Sequence, residues 1–231
     1  CQTDFISLPE GNSRINVKIK SDKESEINGQ GPEISKEAVE QLYTKLKSLT
    51  PDDVLVLAGS IPDTLPKDVY EQIMGCLTEK EVRVVVDATG ELLKKVLKYN
   101  PFLIKPNQYE LGELFGVNIQ TEEEIIEYAG KLQNMGAVNV LVSLAEKGAL
   151  LLSEDGKIRK MKPPKGKVVN SVGAGDSMVA GFLAGYLNTK DYEKALELGT
   201  AAGSATAFVS WLATKEEIIG KLVRPASEYG L

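Results

Sequence analysis

The 231-residue sequence contains no histidine and only two cysteines, Cys1 and Cys76. Without histidine the chain cannot build a Ser-His-Asp hydrolase, a Cys-His protease or most kinds of zinc enzyme. The two cysteines are far apart and form no CxxC motif, so we expect neither a disulfide framework nor a cysteine-based zinc site, and the reducing cytoplasm is the expected location. Any general base must therefore be Asp, Glu, Lys or Tyr.

The sequence also lacks the features that would indicate a membrane protein or a nucleic-acid-binding protein. No apolar run reaches the roughly 18 residues that a membrane helix needs, and nothing resembles a signal peptide. The net charge is −6 and no basic stripe is present, which argues against a nucleic-acid partner. With 42% apolar and 26% charged residues, the chain has the composition of a globular protein that binds neither membranes nor nucleic acids.

The hydrophobic pattern changes near residue 30. Residues 14–20 alternate apolar and polar side chains, and residues 24–28 can return as a second strand, which predicts an exposed antiparallel hairpin. The run Gly29-Gln30-Gly31-Pro32 should break this structure. We therefore predict one part at residues 1–30 and an α/β core at residues 31–231.

Within the core, strands alternate with amphipathic helices, which predicts a mainly parallel sheet with helices on both faces. Asp155-Gly156 is a turn signal for a hairpin between residues 149–152 and 158–161. The other strands are expected at residues 54–58, which should be fully buried, and at 82–86, 102–104, 138–144 and 168–169. Helices are expected at residues 35–49, 67–78, 91–98, 109–115, 122–133, 174–187, 192–208 and 215–223.

Because ligands of such sheets bind beyond the carboxyl ends of the strands, the residues that follow each strand carry the functional information. Gly173, Ala174 and Gly175 lead into a helix, whose free N–H groups attract anions. Asp176 in the first turn could accept a proton from a substrate hydroxyl, a combination that suits phosphoryl transfer to an alcohol. A glycine-rich turn with a capping Asp is the alternative, and this motif alone slightly favours it.

Asn107 and Glu110 form an N-x-x-E pair after another strand. Both side chains could converge on a hydrated Mg²⁺, which prefers oxygen ligands and retains several waters. They could equally form a capping box at the start of a helix, and spacing alone favours the box. Asp87 is similarly a turn residue or a second carboxylate near the metal.

Two other segments allow two interpretations each. Residues 143–148 could bind a nucleotide through backbone and hydroxyl groups, or they could simply enter a hairpin. The small residues 201–205 could allow close helix packing, which is the commoner case, or form the wall of an adenine pocket.

In sequence order, these motifs resemble those of the ribokinase-like carbohydrate kinases of the phosphofructokinase-B type. Residues 170–181, beginning Asn-Ser-Val-Gly-Ala-Gly-Asp-Ser, resemble the carboxyl-terminal signature of the family. Residues 105–111 match its second marker and residues 59–62 its sugar-side loop, and the similarity runs from about residue 11 to about residue 214. The resemblance implies a ribokinase-like α/β fold with a small β lid, and an ATP- and Mg²⁺-dependent kinase that acts on a phosphosugar.

Roles for individual residues follow from the resemblance. Asp176 matches the catalytic base, and Gly173, Ala174 and Gly175 match the anion hole. Mg²⁺ would be held through water by Asn107 and Glu110, with Asp87 as a further candidate. The positions that match ATP-binding residues are Lys105, Asn107, Ser143, Leu144, Ala145, Glu146, Lys147, Gly148, Asn170 and Gly175.

The sugar side is expected at Arg14, Gly59, Ser60 and Asp176. Arg14 matches a position that binds the phosphate of the sugar, and a neutral sugar would need no guanidinium there. The hairpin resembles the part of the β lid that covers the sugar and often joins two subunits, so a homodimer through the lid is expected.

The chain departs from the family pattern at two places. Ala145 stands where the nucleotide loop often has glycine. The family also begins with a strand that carries a sugar-binding Asp, a Gly-Gly-Lys-Gly segment and another lid strand, and none of these precedes Cys1. The resemblance therefore implies that the amino-terminal strands of the family fold are missing here, and a non-catalytic nucleotide-binding fragment is the competing interpretation.

Overall fold

A computed structural model describes residues 2–19, 25–59 and 61–231. The chain divides into two compact units, Cys1–Val84 and Val85–Leu231. The boundary that the sequence predicts after residue 30 would separate the hairpin from the rest of the first unit, and it stays a prediction.

The first unit opens with the expected hairpin. Strands β1 (Asn16–Ile19) and β2 (Ser25–Asn28) pair antiparallel, with Val17 opposite Ile27. Several apolar side chains of this hairpin face solvent, and each is at least 45% exposed: Ile15, Val17, Ile19 and Ile27. The hairpin therefore presents apolar surface that its own unit does not cover.

Helix α1 (Lys36–Lys47) begins where the sequence predicts, because the Ser35 hydroxyl accepts a hydrogen bond from the Ala38 N–H at 3.2 Å. Strand β3 (Val54–Ala58) and helix α2 (Val69–Leu77) follow. The prediction that β3 is fully buried is wrong, since Val56 is 43% exposed and Leu57 is the one buried residue of the strand. β3 is the edge strand of its sheet, where neighbouring elements cover side chains less completely.

The larger sheet has six strands in the order β3-β4-β5-β6-β7-β8. The β4, β5 and β6 strands run parallel, and β7 and β8 pair antiparallel at the far edge. This is the predicted α/β architecture, including the hairpin at Asp155-Gly156. The strands are β4 (Arg83–Asp87), β5 (Leu103–Ile104), β6 (Asn139–Ser143), β7 (Ala149–Leu152) and β8 (Ile158–Met161).

The helices of the second unit agree with the sequence pattern to within a few residues. Short 3₁₀ turns at Leu97–Tyr99, Ala145–Lys147 and Ala226–Tyr229 supplement them. No helix in the described part of the chain is both long and apolar enough to cross a membrane. The helices are α3 (Gly90–Val96), α4 (Gln108–Phe115), α5 (Glu122–Asn134), α6 (Ala174–Thr189), α7 (Tyr192–Ala207) and α8 (Lys215–Ile219).

The strand predicted at residues 168–169 is wrong. The N–H groups of Val169 and Asn170 both donate to the carbonyl oxygen of Ala207, at 2.8 and 3.2 Å. These bonds connect the segment to the end of α7 instead of a strand ladder. Two β-branched residues favour an extended backbone but do not specify the partner that it binds.

Glycines on α6 and α7 let these two helices approach closely. A Cβ atom placed on Gly181 of α6 would lie 2.7 Å from the carbonyl oxygen of Leu198, and one on Gly203 of α7 would lie 3.0 Å from that of Ala174. The small residues 201–205 therefore serve close helix packing, the commoner of their two interpretations. This packing holds α7 against the first turn of α6.

We expect Gly181→Ala to destabilise the protein by about 1–3 kcal/mol, because the added methyl meets backbone of α7 and over-packs the interface. Gly130→Ala is the matched control, since Gly130 lies in α5 with no atom within 4 Å of an added Cβ. That change should stabilise the protein by about 0.5–1 kcal/mol through helix propensity. Urea denaturation measures both, and equal effects of the two changes would contradict close packing.

Candidate active site

The register of two parallel strands sets one pair of charges side by side. Val86 of β4 lies opposite Ile104 of β5, so Asp87, the last residue of β4, and Lys105, the first residue after β5, are neighbours at the carboxyl ends of the two strands. The Lys105 Nζ atom is 3.4 Å from the Asp87 Oδ1 atom. The side chains are only 8% and 17% exposed, respectively, which makes this a largely buried ion pair.

The first turn of α6 lies against the same lysine. A Cβ atom on Gly175 would lie 3.1 Å from Lys105 Nζ, so glycine lets the ammonium approach the helix backbone. Gly173 caps the helix with φ of +79°, and a Cβ there would lie 2.7 Å from a methyl carbon of Leu212. Asp176 belongs to the same turn and is exposed. The structure thus brings three predicted features together: Asp176, Lys105 and the anion hole of Gly173, Ala174 and Gly175, which we call the anion turn of α6.

Asp176 and Glu110 lie close enough to Asp87 for their negative charges to affect the pKa of its carboxyl group. Burial raises the pKa of Asp87, and the negative charges of Asp176 and Glu110 raise it further, while Lys105 opposes the rise. Among the described residues, no group of three Asp, Glu, Cys or His side chains is arranged to hold a metal ion. Carboxylate oxygens are the donors that Mg²⁺ prefers, so the donor chemistry of Asp87, Glu110 and Asp176 fits this ion although they form no three-ligand group.

Asn107 and Glu110 form the capping box that was the alternative to metal binding. The Glu110 N–H donates to Asn107 Oδ1 at 2.9 Å, and the Asn107 N–H donates to Glu110 Oε2 at 2.8 Å. These two bonds use one of the two carboxylate oxygens of Glu110. The box fixes both side chains at the start of α4, beside the Asp87–Lys105 pair.

The loop after β6 is a tight turn that begins next to Asn107. Ser143 and Asn107 form an isolated parallel bridge, and the Leu144 N–H donates to the carbonyl oxygen of Gly148 at 2.8 Å. Ala145 has φ of +50°, in the left-handed region that favours glycine. Ala145, which stands where the family that the sequence resembles often has glycine, is therefore held in a strained backbone conformation. Glu146 and Lys147 complete the 3₁₀ turn.

Asn170 shapes the entry to the anion turn. Its Oδ1 atom accepts the Val172 N–H at 3.3 Å, and its Nδ2 atom donates to the carbonyl oxygen of Ser210 at 3.3 Å. The Asn170 side chain therefore connects the loop before α6 to the segment that follows α7.

Apart from Asp176, the residues predicted for the sugar side belong to the first unit. Arg14 is exposed, and Gly59 follows β3 with φ of +85°. The Tyr70 hydroxyl is within 2.8 Å of the Ala58 carbonyl oxygen and 3.1 Å of that of Gly59, so this side chain steadies the turn. Ser60 lies outside the described residues, and the assignment of all three to the sugar stays a prediction.

Two features of the site were not predicted from the sequence. One is the contact of Asp87 with Lys105, whose only signal was that both residues directly follow strands of a parallel sheet. The other is a bond of 2.9 Å from Thr206 Oγ1 to Ser177 Oγ, which joins α7 to α6 one residue after Asp176. Sequence spacing carries no signal for a contact between residues 29 positions apart.

Comparison with known proteins decides the family. The profile of the pfkB family carbohydrate kinases matches residues 2–217. The chain belongs to this family. Among solved structures, an Arabidopsis thaliana ribokinase superposes with a TM-score of 0.71 over 91% of this chain and 69% of its own, at 24% identity, which shows that the fold is ribokinase-like.

Nearer relatives lie within the same family of kinases. A 1-phosphofructokinase of Bacillus subtilis is 50% identical over 211 residues, which cover 91% of this chain and 69% of the relative. A D-tagatose-1-phosphate kinase of Bacillus licheniformis is 37% identical and covers 98% of this chain and 73% of its own. A Staphylococcus aureus structure, provisionally named a phosphofructokinase, superposes with a TM-score of 0.83 at 41% identity, over 95% and 71% of the two chains.

We expect Ala145→Gly to stabilise this pfkB-family chain by about 0.5–1 kcal/mol. The left-handed conformation costs an alanine about 1–2 kcal/mol, more than the entropy that glycine adds to the unfolded state. Ala180→Gly is the control, because Ala180 is an exposed residue of α6 and the change should destabilise by about 1 kcal/mol. Urea denaturation should give opposite signs, and destabilisation by both changes would refute strain at Ala145.

Proposed function

We propose that this chain transfers the γ-phosphoryl group of ATP to fructose 1-phosphate, giving fructose 1,6-bisphosphate and ADP, in the cytoplasm. The observation that carries the proposal is the meeting of Asp176, the anion turn of α6 and the buried Lys105 at one place. The 50% identity to a 1-phosphofructokinase supports this choice of sugar. So do residues 14–18, 26–28 and 163–170, which resemble that branch of the family.

In the proposed reaction, the Asp176 carboxylate accepts the proton of the attacking sugar hydroxyl. The hydroxyl oxygen forms a bond to the γ-phosphorus, and the bond between that phosphorus and the β–γ bridging oxygen breaks. ADP leaves with the bridging oxygen and the electron pair of the broken bond. Of the predicted anion hole, the N–H groups of Gly173 and Gly175 stabilise the negative charge on the transferring oxygens together with the Lys105 ammonium. The Ala174 N–H donates to the carbonyl oxygen of Ser171 at 3.2 Å. Each of these groups belongs to the second unit.

Asn107 and Glu110 would hold Mg²⁺ through water, whereas Asp87, the further candidate from the sequence, contacts Lys105 instead. The ion, when bound, would neutralise part of the triphosphate charge. The nucleotide itself would lie along Ser143, Leu144, Ala145, Glu146, Lys147 and Gly148 and against Asn170. On the sugar side, Arg14 would bind the existing phosphate, and Gly59 and Ser60 would contact the sugar.

A tagatose phosphate is the second candidate acceptor. The sequence similarity extends to tagatose-6-phosphate kinases, and the 37% identity to a D-tagatose-1-phosphate kinase over 98% of this chain favours the same class. A fragment that only binds nucleotide is the remaining alternative for the function.

The apolar face of the β1–β2 hairpin would pair with a second copy of the chain.

A coupled assay of ADP release tests the function and its alternatives together. The acceptors are fructose 1-phosphate, fructose 6-phosphate, tagatose 1-phosphate and tagatose 6-phosphate, each with ATP and Mg²⁺. We expect fructose 1-phosphate to give the highest kcat/KM. A higher value with either tagatose phosphate would reassign the substrate, and ATP binding without transfer to any acceptor would support the nucleotide-binding fragment.

We expect Asp176→Asn to lower kcat by about 10²–10⁴-fold, because the amide cannot accept the hydroxyl proton. Calorimetric titration should show ATP affinity within about threefold of the unaltered protein, since the amide has nearly the shape of the carboxylate. A variant that keeps more than about half of the original kcat would exclude Asp176 as the base.

We expect Glu110→Gln to raise the Mg²⁺ concentration for half-maximal activity by about tenfold, because the water-mediated partner of the ion loses its charge. Glu124→Gln is the matched control, since Glu124 holds the same position in the capping box of α5. The control should disturb its helix equally and leave the Mg²⁺ requirement unchanged. If both variants respond to Mg²⁺ like the unaltered protein, Glu110 serves the capping box alone.

A further inference from the structure

Lys105 occupies an electrostatically unfavourable place. Its side chain is 8% exposed and its ammonium lies against the first turn of α6, where the N–H groups of the helix also carry positive charge. Burying an ammonium is unfavourable unless a negative charge compensates it. Two positive groups at one buried point therefore require negative charge nearby.

Asp87 supplies part of that charge from the neighbouring strand. The distance of 3.4 Å from Lys105 Nζ to Asp87 Oδ1 exceeds the 2.7–2.9 Å of a tight charge-assisted hydrogen bond. The ammonium thus lies near both the carboxylate and the backbone of Gly175, and the carboxylate does not form a tight hydrogen bond with it. Because Asp87 is the last residue of strand β4, its carboxylate restrains the lysine from the end of the sheet.

We propose that Asp87 is a positioning residue, which holds the Lys105 ammonium at the anion turn of α6 so that both act on the same phosphoryl group. This inference rests on the proposed function, since a phosphoryl group of ATP is the anion assigned to the turn. It differs from a role of Asp87 in holding Mg²⁺, because here the carboxylate acts through Lys105. It explains why position 175, where a side chain would meet the ammonium, is glycine.

A double-mutant cycle of Asp87→Asn and Lys105→Met tests the inference. Lys105→Met should lower kcat by about 10²–10³-fold, as loss of a group that stabilises transition-state charge does. Asp87→Asn alone should lower kcat by about tenfold, and in the Lys105→Met background it should lower kcat by less than about twofold. Equal fold-changes in the two backgrounds would overturn the inference.

Two further measurements exclude a metal or a merely structural role. For Asp87→Asn the Mg²⁺ concentration for half-maximal activity should be unchanged, whereas a tenfold rise would assign Asp87 to the metal and overturn the inference. Asp155→Asn is the control, since it breaks an Asp155–Arg159 ion pair at the β7–β8 turn and should leave kcat unaltered. If the melting temperature of Asp87→Asn falls and kcat of the folded protein does not, the role is structural.

The same double-mutant cycle can also be measured by ATP binding, without phosphoryl transfer to a sugar. Loss of the Asp87 charge removes repulsion of ATP in either background, but it releases the ammonium only where Lys105 is present. The fold-change in ATP dissociation constant caused by Asp87→Asn should therefore differ at least fivefold or so between the two backgrounds. This difference without phosphate transfer by the unaltered protein would refute the proposed function and keep the inference, and no ATP binding at all would overturn both.

Discussion

The candidate site depends on a single buried ammonium, that of Lys105. It is stabilised by Asp87 and lies against the glycine backbone of α6, so the ends of two strands and the start of a helix meet at one point. The parallel register of β4 and β5 creates the pair, and the absence of a side chain at Gly175 admits it. Helix α7 supports this arrangement, because Gly203 lets it pack closely against the first turn of α6.

Charge balance connects this arrangement to phosphoryl transfer. The negative charges of Glu110 and Asp176 raise the pKa of Asp87, the carboxylate that contacts the lysine, as does its burial, while Lys105 lowers it. An incoming triphosphate would add further negative charge, which explains why a buried ammonium, helix N–H groups and a divalent cation would all be needed in one place. The exposed Asp176, by contrast, keeps its carboxylate accessible to an acceptor hydroxyl. The two functions assigned to the turn, charge stabilisation and proton removal, are thus served by groups in different environments.

Much of this architecture follows from local sequence. The alternation of buried strands and amphipathic helices predicts the α/β class, Ser35 predicts the start of α1, and Asp155-Gly156 predicts the hairpin between β7 and β8. The residues after the strands also identify Asp176 and Asn107 as candidates. These signals are local because capping, turns and periodicity depend on residues within a few positions of each other.

The remaining features depend on contacts between distant residues. Val56 is exposed in a strand whose composition suggests full burial, because burial depends on which elements cover a strand. Residues 168–169 bond to the end of α7, a partner that two β-branched residues do not specify. The pairing of Asp87 with Lys105 requires the register of two strands, and no spacing in the sequence reveals it.

The most direct test of the account is a crystal structure of the chain with Mg²⁺ and a non-hydrolysable ATP analogue. The account predicts a γ-phosphate oxygen within about 2.7–3.2 Å of both Lys105 Nζ and the N–H of Gly175, with Asp87 still in contact with the lysine. A triphosphate bound elsewhere, or one that leaves Lys105 without a phosphate contact, would contradict it.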